Sequence, residues 1–100
     1  MKGGAQDAQP ATNMVSFADN SCAAWVKSEG NVSVRGTYLY WFRGFVSGYN
    51  WGNPTHQVAS DKMPNNPTID SYVNKFCREN PQQPFIMAAP ALIRDLLREA

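Results

Sequence analysis

Residues 36–53 read GTYLYWFRGFVSGYNWGN and bring Tyr38, Tyr40, Trp41, Phe42, Phe45, Tyr49 and Trp51 into one short span. Three architectures concentrate rings in this way: a membrane span, a platform on which bases or a ligand stack, and the central helix of a core. A span needs about 18 or more predominantly apolar residues. Arg43 interrupts the run and Asn50 and Asn53 close it, so the first architecture fails. Advancing about 100° per residue gathers Val34, Tyr38, Leu39, Trp41, Phe42, Phe45, Val46 and Tyr49 into an arc of roughly 160°, with Arg43, Ser47 and Gly36 opposite. A helix capped by Asn31 or Ser33 and buried along that arc is the expected structure. Thr37, Gly44 and Gly48 border the arc as a strip without bulk. Gly44 and Gly48 form a G-x-x-x-G pair, a dimerisation signal only in membrane-length helices, so here they are expected to let a neighbouring helix approach. Tyr40 and Trp51 fall off the arc and are the rings most available to a partner.

Composition sets the frame for that helix. At 100 residues the chain holds one domain, since a second core would be too small to stand alone. Nine Lys plus Arg against eight Asp plus Glu leave a formal charge of +1. Neither sign collects on one segment, which disfavours nucleic acid as a partner. A hydrophobic share of 43% supplies a core and argues against disorder over most of the length. The start, MKGGAQDAQPAT, is polar and without period. Residues 1–15 are expected to be a flexible lead-in standing where a secretion signal has been removed, and residues 16–100 the single helical domain.

Three more helices are predicted. Ser16 with Asp19 resembles a capping box, and the segment from Phe17 to Glu29 carries Cys22, Trp25 and Val26 on one side before Gly30 stops it. Between Asn50 and Pro67, three prolines and a cluster of Asn predict a surface loop with one turn near 55–61. After Pro67, Thr68 is the expected cap and Asp70 lies in the first turn. Ile69, Tyr72, Val73, Phe76 and Cys77 follow the helical i, i+3, i+4, i+7, i+8 pattern until Asn80 and Pro81. In the last segment, Phe85 to Glu99, Pro90 either sits in the first turn of a helix starting near Ala88 or kinks a longer one.

The two cysteines fit no metal-ligand spacing, and His56 is the only histidine beside them. No metal or cofactor is expected, and His56 reads as a solvated loop side chain. An even cysteine count in a small domain suggests a disulfide and an oxidising compartment. Cys22 and Cys77 both lie on buried faces, so a bridge would staple the first predicted helix to the third; two reduced, buried thiols are the alternative.

Two segments carry a family resemblance. Trp41-Phe42-Arg43-Gly44-Phe45-Val46-Ser47-Gly48-Tyr49-Asn50 resembles the W-x-x-G-[FY]-x-S-G-x-N segment of the Rap1a/Tai group of small secreted bacterial proteins. Phe76-Cys77-Arg78-Glu79-Asn80-Pro81 resembles the Y-C-x-x-N-P segment of the same group. Cys22 and the tail residues Ala88, Ala89, Leu92 and Leu96 fall where the group would place them, so the resemblance spans residues 17–99. It implies an all-α, compact four- to five-helix HdeA-like domain stapled by one disulfide, Cys22–Cys77. It also implies a periplasmic immunity protein that binds and inhibits a peptidoglycan amidase toxin delivered by type VI secretion. Pro90 departs from the regular last helix of the group.

The matched residues Trp41, Gly44, Phe45, Gly48 and Phe76, together with Trp25, are expected to be structural. An enzyme needs a nucleophile with a base, paired carboxylates in a cleft or a metal site, and none is visible, so a binding protein is expected rather than a catalyst. The expected contact surface gathers Tyr40, Trp51, His56, Asp61, Lys62, Met63, Asn65 and Asn66. Two other roles stand beside toxin inhibition. One is an acid-activated periplasmic chaperone, since protonating eight acids and His56 would take the charge from +1 to about +10. The other is a periplasmic binding protein of another kind. A homodimer through the glycine-lined strip is also expected.

Overall fold

The computed structural model describes residues 14–99. Four α-helices, α1 (Cys22–Lys27), α2 (Val32–Gly52), α3 (Asn66–Glu79) and α4 (Ala88–Arg98), are joined with 3-10 turns at Ser60–Lys62 and Phe85–Met87. Among the described residues the one β pairing is an isolated bridge between Ser21 and Pro84. The all-α class and the Cys22–Cys77 disulfide are therefore as expected, with the two Cα atoms 5.4 Å apart. No described helix is long and apolar enough to cross a membrane.

Helix α1 is shorter than its predicted span. Asp19 Oδ1 accepts from the Ser21 N–H, and Ser21 in turn caps α1 by accepting from the Ala24 N–H at 3.0 Å. The helix is thus capped by Ser21 rather than by Ser16. Residues 14–21 are irregular instead, with a bend at Ala18, and Phe85 N–H donates to Asn20 O at 2.7 Å to hold them beside the start of the last segment. Met14 packs against the core and Val15 O accepts from Trp41 Nε1 at 2.8 Å, so the body begins before the boundary expected at Ser16. Residues 1–13 of the expected lead-in lie outside the described residues. Gly30, at φ 84°, makes the turn into α2 in a conformation that costs a β-carbon dearly.

Helix α2 is capped by Asn31, whose side chain accepts from Val34 N–H. Its buried line is Arg35, Leu39, Phe42 and Val46, one border of the predicted arc, while Val34 at the other border is 38% exposed. Trp25, Phe42 and Phe85 are wholly buried and form the centre of the core, with Trp25 to Phe85 5.5 Å and Trp25 to Phe42 6.4 Å between ring centroids. Tyr38, Trp41, Phe45 and Phe76 are half-buried and pack around that centre. Phe17 closes it from the segment before α1, 4.8 Å from Tyr38. Each large ring removed from water contributes about 1.5–3 kcal/mol, so this cluster outweighs any single polar contact.

Gly44 and Gly48 do not admit a neighbouring helix. Both are exposed, and a β-carbon built at either meets nothing within 4 Å. The two expected packing glycines are therefore surface residues, because the core approaches α2 from the opposite side.

Helix α3 begins three residues before the expected start, at Asn66, since Asn65 rather than Thr68 caps it, accepting from Thr68 N–H at 3.0 Å. Pro67 then lies in the first turn, where its missing N–H costs nothing. Pro90 occupies the equivalent first turn of α4, the first of its two predicted placements, and Phe85–Met87 lead in as a 3-10 turn rather than as α-helix.

Candidate partner-binding surface

Tyr40 and Trp51 are 75% and 91% exposed. They lie eleven positions apart on α2, three turns within about 20° of each other in azimuth and about 16 Å along the axis. Between them the same face carries Gly44, Ser47 and Gly48, all exposed. The result is a face with a ring at each end and small residues between, bordered by Arg43, on the side of α2 that faces away from the core.

The segment after α2 is tied down rather than loose. Asn50 pairs with Val58 twice, its Nδ2 donating to Val58 O and its Oδ1 accepting from Val58 N–H, each at 2.8 Å. Val58 is thereby buried beside Val46 and Ile93 in a second, smaller core. Gln57 Nε2 donates to the carbonyls of Asn50 and Asn53, capping the end of α2. These bonds hold the loop that carries the exposed His56 against the C-terminal end of α2, the end on which Trp51 lies. His56 Nδ1 has the Thr55 hydroxyl 3.3 Å away.

The other expected contact residues divide. Asp61 and Lys62 stand exposed on the 3-10 turn. Met63 is half-buried against both cores, so it packs the loop down. Asn65 is the α3 cap, and Asn66 Oδ1 accepts from Arg43 Nε at 2.9 Å while Arg43 Nη2 donates to Pro64 O. Arg43 thus pins the loop to α2, and Met63, Asn65 and Asn66 serve the fold. The surface reduces to Tyr40 and Trp51 on one helix face, with His56, Asp61 and Lys62 on the adjoining loop.

Two polar arrangements were not foreseen in the sequence. Arg35 is buried under Trp25, its Cζ 3.8 Å from the ring centroid. Its nitrogens donate to Asp70 Oδ2, Ser28 Oγ and Trp25 O, each at 2.7 Å. Trp25 Nε1 donates to Asn74 Oδ1, and Asn74 Nδ2 donates back to Asp70. Asp70 is therefore the counter-ion of Arg35 rather than a first-turn dipole partner. On the far side, Tyr72 Oη donates to Asp95 Oδ2 at 2.6 Å, joining α3 to α4. Burial, with the Asp95 hydrogen bond second, raises the Tyr72 pKa well above the usual phenol value. The Tyr72 hydrogen bond, aided by Arg94 and Arg98, lowers that of Asp95. The signal for this pair was the polar residue on each predicted helix, but which register joins them is a tertiary matter.

No family model, curated protein or solved structure matches the chain.

Proposed function

We propose that the chain is a periplasmic immunity protein that binds a peptidoglycan amidase toxin of a type VI secretion system and occludes its active site. The reading starts from the sequence resemblance; the observation that carries it is the exposed Tyr40–Trp51 face on a helix whose other side is locked into the core. Tyr and Trp anchors held in place before contact provide affinity at low ordering cost. The Cys22–Cys77 bridge supports both the rigidity and the oxidising compartment. A second copy, if the protein pairs, would seat on the open Gly44–Gly48 stripe of the same face.

Retention of the neighbouring gene's product by the tagged protein, at neutral pH in periplasmic extract, tests this. Tyr40→Ala with Trp51→Ala is expected to weaken that complex by about 100-fold, an anchor pair's share, while leaving the thermal midpoint unchanged. An amidase that is neither retained nor inhibited defeats the reading. A second role follows from composition rather than from any one pair, since strong acid would take the negative charge from the eight acidic side chains. An acid-activated chaperone of this kind would suppress client aggregation at about pH 2 and not at neutrality.

A further inference from the structure

Helix α2 carries a second pattern on the side opposite the one that builds the core. Ser33, Thr37, Tyr40, Gly44, Ser47 and Trp51 recur at alternating spacings of four and three, and all are exposed. That is the a and d seam of a heptad repeat, about 27 Å long, on a helix whose other side is already used. The seam holds no charge. Of the two charged residues of α2, Arg35 is buried and Arg43 is turned onto Asn66 and Pro64. The solvated side of a helix ordinarily carries charge, whereas Tyr and Trp without charge mark the centre of a protein interface.

The order of sizes along the seam names the occupant. Turned end for end about the level of Phe42, the seam falls on itself. Tyr40 then faces Gly44 of a second copy, Trp51 faces Ser33 and Thr37 faces Ser47, each contact recurring through the two-fold. Every ring meets a residue small enough to receive it, and Gly44 has free space where a β-carbon would stand. A parallel pair instead sets Tyr40 on Tyr40, Trp51 on Trp51 and Gly44 on Gly44, which crowds two layers and empties a third. Four rings bury up to about 600–1,000 Å². The residues between them bring the pair to about 1,200 Å², the lower bound of specific interfaces. We propose that the protein self-associates through α2 as an antiparallel two-fold pair in this register, which withdraws Tyr40 and Trp51 from any other partner. The inference rests on reading this face as a binding surface but not on the toxin assignment.

The test follows the mass of the oxidised protein by sedimentation velocity at neutral pH, from about 1 to 500 µM. A monomer passing to twice the chain mass is expected, with a midpoint of about 10–100 µM for so small an interface. Tyr40→Ala with Trp51→Ala, checked for an unchanged fold by circular dichroism, should stay monomeric throughout. Orientation is read with Thr37→Cys and Ser47→Cys, two separate variants that keep both rings. Mixed under mild oxidation, they are expected to form the mixed adduct at least about tenfold faster than either forms an adduct with itself, because like positions lie about 15 Å apart along the pair. A monomer at every concentration, a double variant that still pairs, self-adducts without the mixed one, or a pair that gives no adduct overturns the proposal. A monomer that retains the amidase defeats this inference and leaves the toxin reading standing; a pair in this register that retains none does the reverse.

Discussion

Arg35 shows how a charge comes to lie inside a domain this small. Its guanidinium is planar and weakly hydrated, so the Trp25 face and three acceptors replace the water it loses. Removing one partner leaves the other charge buried and uncompensated. Asp70→Asn is therefore expected to cost about 2 kcal/mol, less than for a sealed pair because Asp70 is 28% exposed. Adding Arg35→Met to that variant removes the stranded charge, so the double variant should be no less stable than Asp70→Asn alone; urea midpoints decide this. In the Tyr72–Asp95 pair the two shifts run in opposite directions and set a pH dependence. Asp95 is depressed in the fold, so its contribution is present above the unfolded carboxylate value of about 4 and is lost as pH falls through the folded one. Tyr72 is raised, so its contribution is present below about pH 10 and is lost as pH rises from there. Tyr72→Phe should then cost about 1 kcal/mol at neutral pH, and the gap from wild type should close towards both limits in denaturant titrations across pH.

Helix α2 is where the reading of the sequence was most and least informative. Its Asn31 cap, one of two candidates, and the exposure of Tyr40 and Trp51 follow from period and capping chemistry, which are local, while its end runs to Gly52, into the segment read as a loop from Asn50. The same period placed the apolar arc but not which border of it faces inward, since that depends on what packs there. Arg35 displaced Val34 from the interior because Asp70 and Trp25 receive it from two other helices. For the same reason Gly44 and Gly48 were read as packing residues and stand in the open. The capping signals misled at α1 and α3, where the caps are residues the sequence reading did not single out for that role: Ser21 rather than Ser16, Asn65 rather than Thr68. Of the expected contact residues, Asn65 and Asn66 look like loop polarity and Met63 like an exposed apolar residue in the sequence, and all three are used within the fold. The glycines carry a direct test. An exposed helical Gly with free space at its β-carbon costs about 1 kcal/mol relative to Ala, so Gly44→Ala and Gly48→Ala should each raise stability by about that amount. Thermal unfolding reads the gain. Loss of partner binding in the same variants would show that the bare backbone of this face is kept for close approach.

The molecule as a whole is held by a bridge between its shortest helix and one of its longer ones. α1 has only six residues, too few to persist without tertiary support, and it brings Trp25 to the middle of the core. The Cys22–Cys77 link fixes α1 against α3, beside the hydrogen bond from Trp25 to Asn74. Closing a loop of 55 residues removes about 4 kcal/mol of chain entropy from the unfolded state in the entropic model. Typical domain stabilities are about 5–15 kcal/mol, so the bridge decides whether the fold persists. Cys22→Ala with Cys77→Ala, or reduction of the native protein, is expected to lower the unfolding free energy by about 4 kcal/mol in urea titrations. The damage should begin at α1, with loss of hydrogen-exchange protection there before the centre of α2. If unfolding of the reduced protein matched that of the oxidised one, rigidity would have to come from the aromatic cluster and the Arg35 network alone. Binding through Tyr40 and Trp51 would then survive reducing conditions, which the same retention experiment with added reductant measures.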